Sequence, residues 1–191
     1  MTDKTSLRKE KLKERDLISV EEVEMAEKKI TSLFIQTINS LNLNKVGFYI
    51  SKRNEIPTKG ILQHLLESNI QCYVPVIDVD LNLKRMRFAE FHKDSPLAKN
   101  EFDIFEPIHK IYIDASEMDL VILPVVAFDD KGYRLGMGKG YYDSTFPQKE
   151  MKNLPQLWAL SYDFQKTESC YPEEHDLIMD TIITPSGILK F

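Results

Sequence analysis

The chain has 191 residues, 42% of them hydrophobic and 29% charged, with a formal net charge of −5 at pH 7. That balance excludes a disordered chain, and the acidic sum argues against a general nucleic-acid binder, whose affinity rests on cationic phosphate contacts. An anionic ligand would have to meet a local basic pocket, which suits a small phosphorylated molecule better than a long polyanion.

Cys72 and Cys170 stand far apart and in no CxxC pair. Two packed thiols in a reducing compartment are therefore expected, with no zinc site or disulfide framework. The N-terminus runs straight into charged residues, and no uncharged stretch approaches the ~20 residues of a membrane span. A cytoplasmic protein, with no membrane and no nucleic acid among its partners, is expected.

In chain order, Thr5 to about Arg15 is rich in good helix formers. Ser19 followed by Glu22 is a capping-box pattern. Val23, Ala26, Ile30, Leu33, Phe34, Ile38 and Leu41 then recur at helical spacing and predict a long amphipathic helix from about Val20 to Ser40. Lys45 to Ser51 reads as a strand. Thr58 is placed to cap a helix carrying Ile61, Leu62, Leu65 and Leu66, and Gln71 to Ile77 reads as the next strand. Such β-α-β alternation argues for a parallel sheet with helices on its faces.

Lys84 to Phe91 reads as a strand, and Ser95 to Pro107 as a loop with short elements. Asp119 to Phe128 contains an uninterrupted apolar run, the mark of a strand covered on both faces, with Pro124 at its end. Asp129-Asp130-Lys131-Gly132 supplies turn chemistry. A helix is predicted to start near Lys139. Leu157 to Ser161, Thr181 to Thr184 and Ile188 to Phe191 read as further strands. The sum is one α/β domain over residues 1–191.

The segment Arg134-Leu135-Gly136-Met137-Gly138-Lys139-Gly140-Tyr141-Tyr142-Asp143 carries the chemistry. Alternating glycines permit positive φ and close backbone approach, so successive N–H groups can wrap an anion. Arg134 and Lys139 add positive charge, and Asp143 offers an oxygen ligand of the kind Mg²⁺ takes alongside phosphates. It is not the GxxxxGK[ST] phosphate loop, because Gly140 follows Lys139, nor the GxGxxG dinucleotide fingerprint. The bland reading is a glycine-rich turn with a solvated Lys and Arg.

Asp119-Leu-Val-Ile-Leu-Pro, Phe128-Asp129, Gly132, Arg134-Leu135-Gly136 and Gly138-Lys139-Gly140-Tyr141-Tyr142-Asp143 closely resemble the signature of the 5-formyltetrahydrofolate cyclo-ligases. Lys4-x-x-Leu7-Arg8 resembles that family's basic N-terminal helix, and Asn54-Glu55-Ile56-Pro57-Thr58 its substrate loop. Met86-Arg87-Phe88, Glu106-Pro107 and His175-Asp176 match further landmarks, so the resemblance spans nearly the whole chain. It departs at Met137, where the family often carries Arg or Tyr, and at Ser144, where Arg is common.

The resemblance implies a three-layer α/β/α sandwich with a mostly parallel sheet, related to phosphosugar isomerases and CoA transferases, and expected as a monomer. It implies ATP-dependent closure of 5-formyltetrahydrofolate to 5,10-methenyltetrahydrofolate, with ADP and phosphate released and Mg²⁺ required. Lys4, Thr5, Ser6, Leu7 and Arg8, with Arg134 to Tyr142, would hold ATP. Ile50, Glu55 and the stretch Met137, Gly138, Lys139, Gly140 and Tyr141 would hold the folate. Asp143 and Asp176 would serve the metal, and Arg134 and Lys139 would stabilise charge on the transferring phosphoryl group.

Glu55 offers an acceptor for the pterin amino and ring N–H groups. Phe48, Tyr49, Tyr141 or Trp158 could stack on the pterin plane. The bland readings are that Lys4 and Arg8 form a solvated helix face, that Glu55 merely leads into the next helix, that one of Phe48 and Tyr49 is core, and that Trp158 is core. Met86 and Phe88 share a strand face and either pack inward or line the pterin cleft. Two other functions fit an α/β domain: a non-catalytic nucleotide or phosphosugar sensor, and a phosphosugar isomerase. A sensor has no need of the metal carboxylate. An isomerase needs a base for proton abstraction from carbon, and no motif supplies one.

Overall fold

The computed structural model describes residues 3–77, 85–100, 105–147 and 154–191. The chain opens with two helices, α1 (Lys4–Asp16) and α2 (Val20–Ile38). The capping box forms as expected: Ser19 Oγ accepts from Glu22 N at 3.2 Å, and Glu22 Oε2 accepts from Ser19 N at 2.9 Å. Then follow β1 (Lys45–Gly47), α3 (Lys59–Glu67), β2 (Gln71–Ile77) and β3 (Met86–Phe91). A small hairpin joins β4 (Leu97–Lys99) to β5 (Phe105–Pro107), before β6 (Tyr112–Ile113) and β7 (Leu120–Pro124). A second hairpin pairs β8 (Ala127–Phe128) with β9 (Arg134–Leu135) and leads into α4 (Tyr141–Thr145). β10 (Gln156–Leu160), β11 (Thr181–Thr184) and β12 (Gly187–Lys190) complete the chain.

Eight strands form one sheet in the order β12-β11-β10-β7-β1-β2-β3-β6. The central run β2-β1-β7-β10-β11 is parallel, and the flanking pairs are antiparallel. Strand alternation divides the core into two. Leu120, Ile122, Trp158 and Leu160 face α2 and α3, packing against Phe34, Ile30 and Ile61. Val121, Leu123, Leu157 and Ala159 face the other way, against Phe88, Phe146 and Met179. That second face is covered by α4, a short 3-10 turn at Ala115–Glu117 and the segment around Leu177. Cys72 and Cys170 are both buried free thiols, and burial pushes each up to about 12.

Three local expectations change. β1 ends at Gly47, because beyond Phe48 (whose N–H still reaches Tyr73 O) the chain turns away from the sheet. Tyr49 anchors that exit, its hydroxyl donating to Ile56 O and its carbonyl accepting from Thr58. Thr58 therefore holds the N-cap position of α3 without a capping bond from its side chain. Its hydroxyl is committed to Tyr49, and Glu27 of α2 accepts from Gly60 N at 3.3 Å instead. Finally, α4 starts at Tyr141, not near Lys139, because Gly140 has φ of 74° and cannot be helical. As expected, β7 stops at Pro124; the hairpin strand β8 begins at Ala127. Of the strand expected from Lys84, Lys84 itself lies outside the described residues.

Candidate functional site

β1, β7 and β10 are adjacent parallel strands, so the segments that follow them emerge at one edge of the sheet. Ligands of open α/β sheets bind at such edges. After β1 comes the loop holding Glu55, after β7 the β8–β9 hairpin with the glycine-rich segment, and after β10 Tyr162 and Phe164. Across these lies α1.

The hairpin is stapled by a buried carboxylate. Asp129 Oδ1 accepts from Lys131 N and Tyr133 N, and Oδ2 accepts from Cys170 N at 2.9 Å. This fixes Arg134 and Leu135 as strand and leaves residues 136–140 as the connecting loop. Gly138 has φ of 84°, and a Cβ there would come within 3.1 Å of Arg8 Nη2. The positive φ favours glycine, and a side chain here would also press on the Arg8 guanidinium that lies against the loop. Arg8 Nε donates to Gly136 O at 2.8 Å.

Arg134 points inward, its side chain only 4% exposed, and Nη2 lies 3.1 Å from Asp143 Oδ1. Its guanidinium sits 5.5 Å from the Tyr142 ring centroid. Its Nε is buried with no hydrogen-bond partner among the described residues. Asp143 Oδ1 also accepts from Leu177 N at 3.4 Å, which brings Asp143 beside the neighbour of Asp176. Lys4 Nζ in turn donates to Asp176 Oδ2 at 2.6 Å and to Glu173 Oε1 at 2.8 Å. Burial alone would push the Asp176 carboxyl up. The Lys4 and Glu173 N–H hydrogen bonds outweigh it and hold the group below its usual range. Burial likewise pulls Lys4 down, and its two carboxylate partners reverse the shift, so its ammonium is held above the ordinary value.

Lys4 and Arg8 are thus not a solvated face. Leu7, between them, is buried against Ala127, Leu135 and Cys170. Thr5 and Ser6 are exposed on the opposite side of the turn, and both N–H groups donate to the Asp3 carboxylate that caps α1. Lys139 is exposed and makes no ion pair among the described residues. Met137 is also exposed.

The loop after β1 forms the other pole. Glu55 N donates to Lys52 O, and Arg53 and Asn54 between them both have positive φ, 49° and 55°. Non-glycine residues in this region cost on the order of 1 kcal/mol each and persist where surroundings hold them. Glu55 Oε2 accepts from Lys52 N at 2.8 Å, and Oε1 lies 3.8 Å from Arg15 Nη1. Burial raises the Glu55 carboxyl above its ordinary range, against the lowering effect of the Lys52 N–H and the Arg15 and Lys52 charges. Burial also raises Tyr142, with smaller opposing effects from Arg134, which lowers it, and Glu55, which raises it. Ile50 is half-buried at the edge of the core.

Of the four rings considered for stacking, three are core. Phe48 packs edge-on to Phe91, Trp158 packs edge-on to Phe34, and Tyr49 holds the loop. Both Phe48 and Tyr49 are buried, not one of them. Tyr141 alone keeps partial exposure. Met86 and Phe88 pack inward, Phe88 against Phe146. His175 is 70% exposed, 3.9 Å from Asp176 Oδ1, and serves no acid–base geometry.

The sequence reading passed over Arg15, which is buried. The signal was present: Lys4, Arg8, Lys11 and Arg15 recur at i, i+4, i+7 and i+11, one face of a helix. Lys11 Nζ, on the same face, donates to Phe164 O at 2.9 Å.

Among the described residues no group of three or more His, Cys, Asp or Glu is arranged to hold a metal. Asp143 accepts from the N–H of Leu177, next in sequence to Asp176, and carboxylates completed by phosphates are a donor set that fits Mg²⁺, although one oxygen of each is paired with Arg134 or Lys4 here.

A profile of the 5-formyltetrahydrofolate cyclo-ligase family matches residues 1–185. The 5-formyltetrahydrofolate cyclo-ligase of Haemophilus influenzae is 33% identical over 152 residues, covering 78% of this chain and 80% of the relative. That of Escherichia coli K12 is 31% identical over 149 residues, covering 76% and 80%. Among solved structures, the 5,10-methenyltetrahydrofolate synthetase of Mycoplasma pneumoniae superposes with a TM-score of 0.79 at 22% identity, over 96% of this chain and 99% of that one. The Aquifex aeolicus 5,10-methenyltetrahydrofolate synthetase superposes with a TM-score of 0.77 at 26% identity, over 98% and 92%.

Proposed function

The chain belongs to the 5-formyltetrahydrofolate cyclo-ligase family, and from that premise we propose that its two polar poles divide the reaction between them. It is a ligase that cyclises 5-formyltetrahydrofolate to 5,10-methenyltetrahydrofolate at the expense of ATP. The glycine-loop pole, with Lys4, Arg8, Arg134 and Lys139, takes ATP. The Glu55 pole takes the pterin. The observation that carries this assignment is Arg8 of α1 lying against Gly138 and bonded to Gly136 O, which brings cations far apart in sequence to one glycine-rich loop.

The formyl group of the substrate is an amide and a poor electrophile. Transfer of the γ-phosphoryl group to its oxygen creates a leaving group. The second folate nitrogen then attacks the formyl carbon, and the C–O bond to phosphate breaks. Such catalysis is mostly positioning and charge stabilisation. That accords with a site holding cations and backbone N–H groups, and with buried, raised thiols that offer no nucleophile. Lys139, exposed at the loop tip, reaches the transferring phosphoryl group. Arg134 fixes Asp143 from behind and adds its charge. Asp143 and Asp176 would hold Mg²⁺, whose charge offsets that of the phosphate oxygens. Glu55 accepts from the pterin amino group, and Tyr141 is the ring left to lie against the pterin plane.

Product stoichiometry tests this reading. The purified protein with 5-formyltetrahydrofolate, Mg²⁺ and ATP is expected to form methenyl absorbance with one ADP and one phosphate per turnover. Release of AMP and pyrophosphate would contradict phosphorylation of the formyl oxygen.

A further inference from the structure

Arg15 is a charged side chain that nothing in the reaction as derived uses, yet it is buried. Burying a guanidinium is costly unless it is paired. Its pairing is partial: Nη1 stands 3.8 Å from Glu55 Oε1, and Nε has no partner among the described residues. The Arg15 carbonyl accepts from Asn54 Nδ2 at 3.2 Å. One residue of α1 therefore touches both Asn54, a strained position of the turn, and Glu55, the residue the turn presents.

We propose that Arg15 is the positioning residue of the folate pole, holding the Lys52–Glu55 turn and the Glu55 carboxylate in the orientation that receives the pterin. This rests on the assignment of Glu55 to the pterin. The geometry argues for positioning and against a mere ion pair. The Lys52–Glu55 turn is closed by its own Glu55 N–H to Lys52 O bond, and Arg15 adds a hold from α1: its carbonyl accepts from Asn54 Nδ2 and its guanidinium stands beside Glu55 Oε1. The Lys52 N–H of Glu55's own loop holds Oε2, and the contact with Arg15 lies on the other carboxylate oxygen, Oε1. Because Lys4 and Arg8 of the same helix hold the ATP pole, α1 spans both substrate subsites.

A double-mutant cycle decides it. Arg15→Met alone is expected to raise the folate KM by roughly three- to tenfold, the scale of one lost charge contact at 3.8 Å, with kcat at saturating folate and the ATP KM moving by less than about twofold. In a Glu55→Gln background the same substitution should add less than about twofold to the folate KM, since the group it positions is already changed. Arg15→Lys, which keeps the charge without the planar fork, should recover part of the loss, and it supplies the cycle if the Met variant does not fold. A Glu55→Gln effect on folate KM multiplied in full by the Arg15 change would overturn the proposal alone. A Glu55→Gln enzyme with the wild-type folate KM would overturn the pterin assignment and the proposal with it.

Discussion

Arg134 in β9 and Lys139 in the loop that follows sit five residues apart and carry the same charge, but their surroundings differ. Lys139 is exposed without an ion pair among the described residues, whereas Arg134 is buried against Asp143 and Tyr142. Lys139→Ala should lower turnover by roughly 10²–10³-fold, as for other lost charge-stabilising donors, while changing stability by no more than about 0.5 kcal/mol. Arg134→Ala should lower turnover too, but removing one partner of a buried pair should also cost about 3 kcal/mol, read as a lower Tm. A Lys139 variant that unfolds would make that residue structural. Glu55 sets a pH dependence. Burial raises its carboxyl, so it takes up a proton at higher pH than an ordinary glutamate and loses its acceptor character as pH falls through that raised value. The folate KM should climb with acidification in that window, and in Glu55→Gln the climb should vanish. A climb that persists in the variant would belong to another group.

At the scale of elements, α1 is held unlike its neighbour. α2 buries Ala26, Ile30, Phe34 and Ile38, while α1 buries only Leu7 and Arg15 and otherwise docks through Lys4, Arg8 and Lys11. Polar docking of this kind places a helix at the low-stability end of a fold. Amide hydrogen exchange should therefore be faster in α1 than in α2, and ATP should slow it in α1 selectively. Equal protection of the two helices without ligand would count against this. The sequence showed α2 to its capping box because apolar period and cap chemistry are local. It showed β7 because Leu120 to Leu123 alternate between two apolar faces. What was not legible depended on partners distant in sequence. Thr58 looked like a cap until Tyr49 took its hydroxyl. Phe48, Tyr49 and Trp158 are aromatic whether they stack on a ligand or on Phe91 and Phe34. Arg15 shares a helix face with Lys4, Arg8 and Lys11, but its burial depends on Asn54 and Glu55, far away in sequence.

At the scale of the whole molecule, the parallel centre of the sheet collects the loops after β1, β7 and β10 at one edge, and antiparallel strands close both sides. The two cores are cut from the same strands, Ile122 on one face and Val121 on the other, so they should melt together. We expect residues 1–191 to unfold in a single cooperative transition. Phe34→Ala, in a fully buried position against Trp158, should lower stability by about 3–5 kcal/mol. Two resolved transitions in calorimetry would contradict a single domain. No helix among the described residues is long and apolar enough to cross a membrane.

The division of the site into an ATP pole and a folate pole is tested most directly by initial rates of methenyl formation, with both substrates varied, for Glu55→Ala and Lys139→Ala. The account predicts crossed effects: the folate KM rises in Glu55→Ala while the ATP KM holds, and kcat falls in Lys139→Ala while the folate KM holds. Equal loss of both substrates in either variant would contradict it.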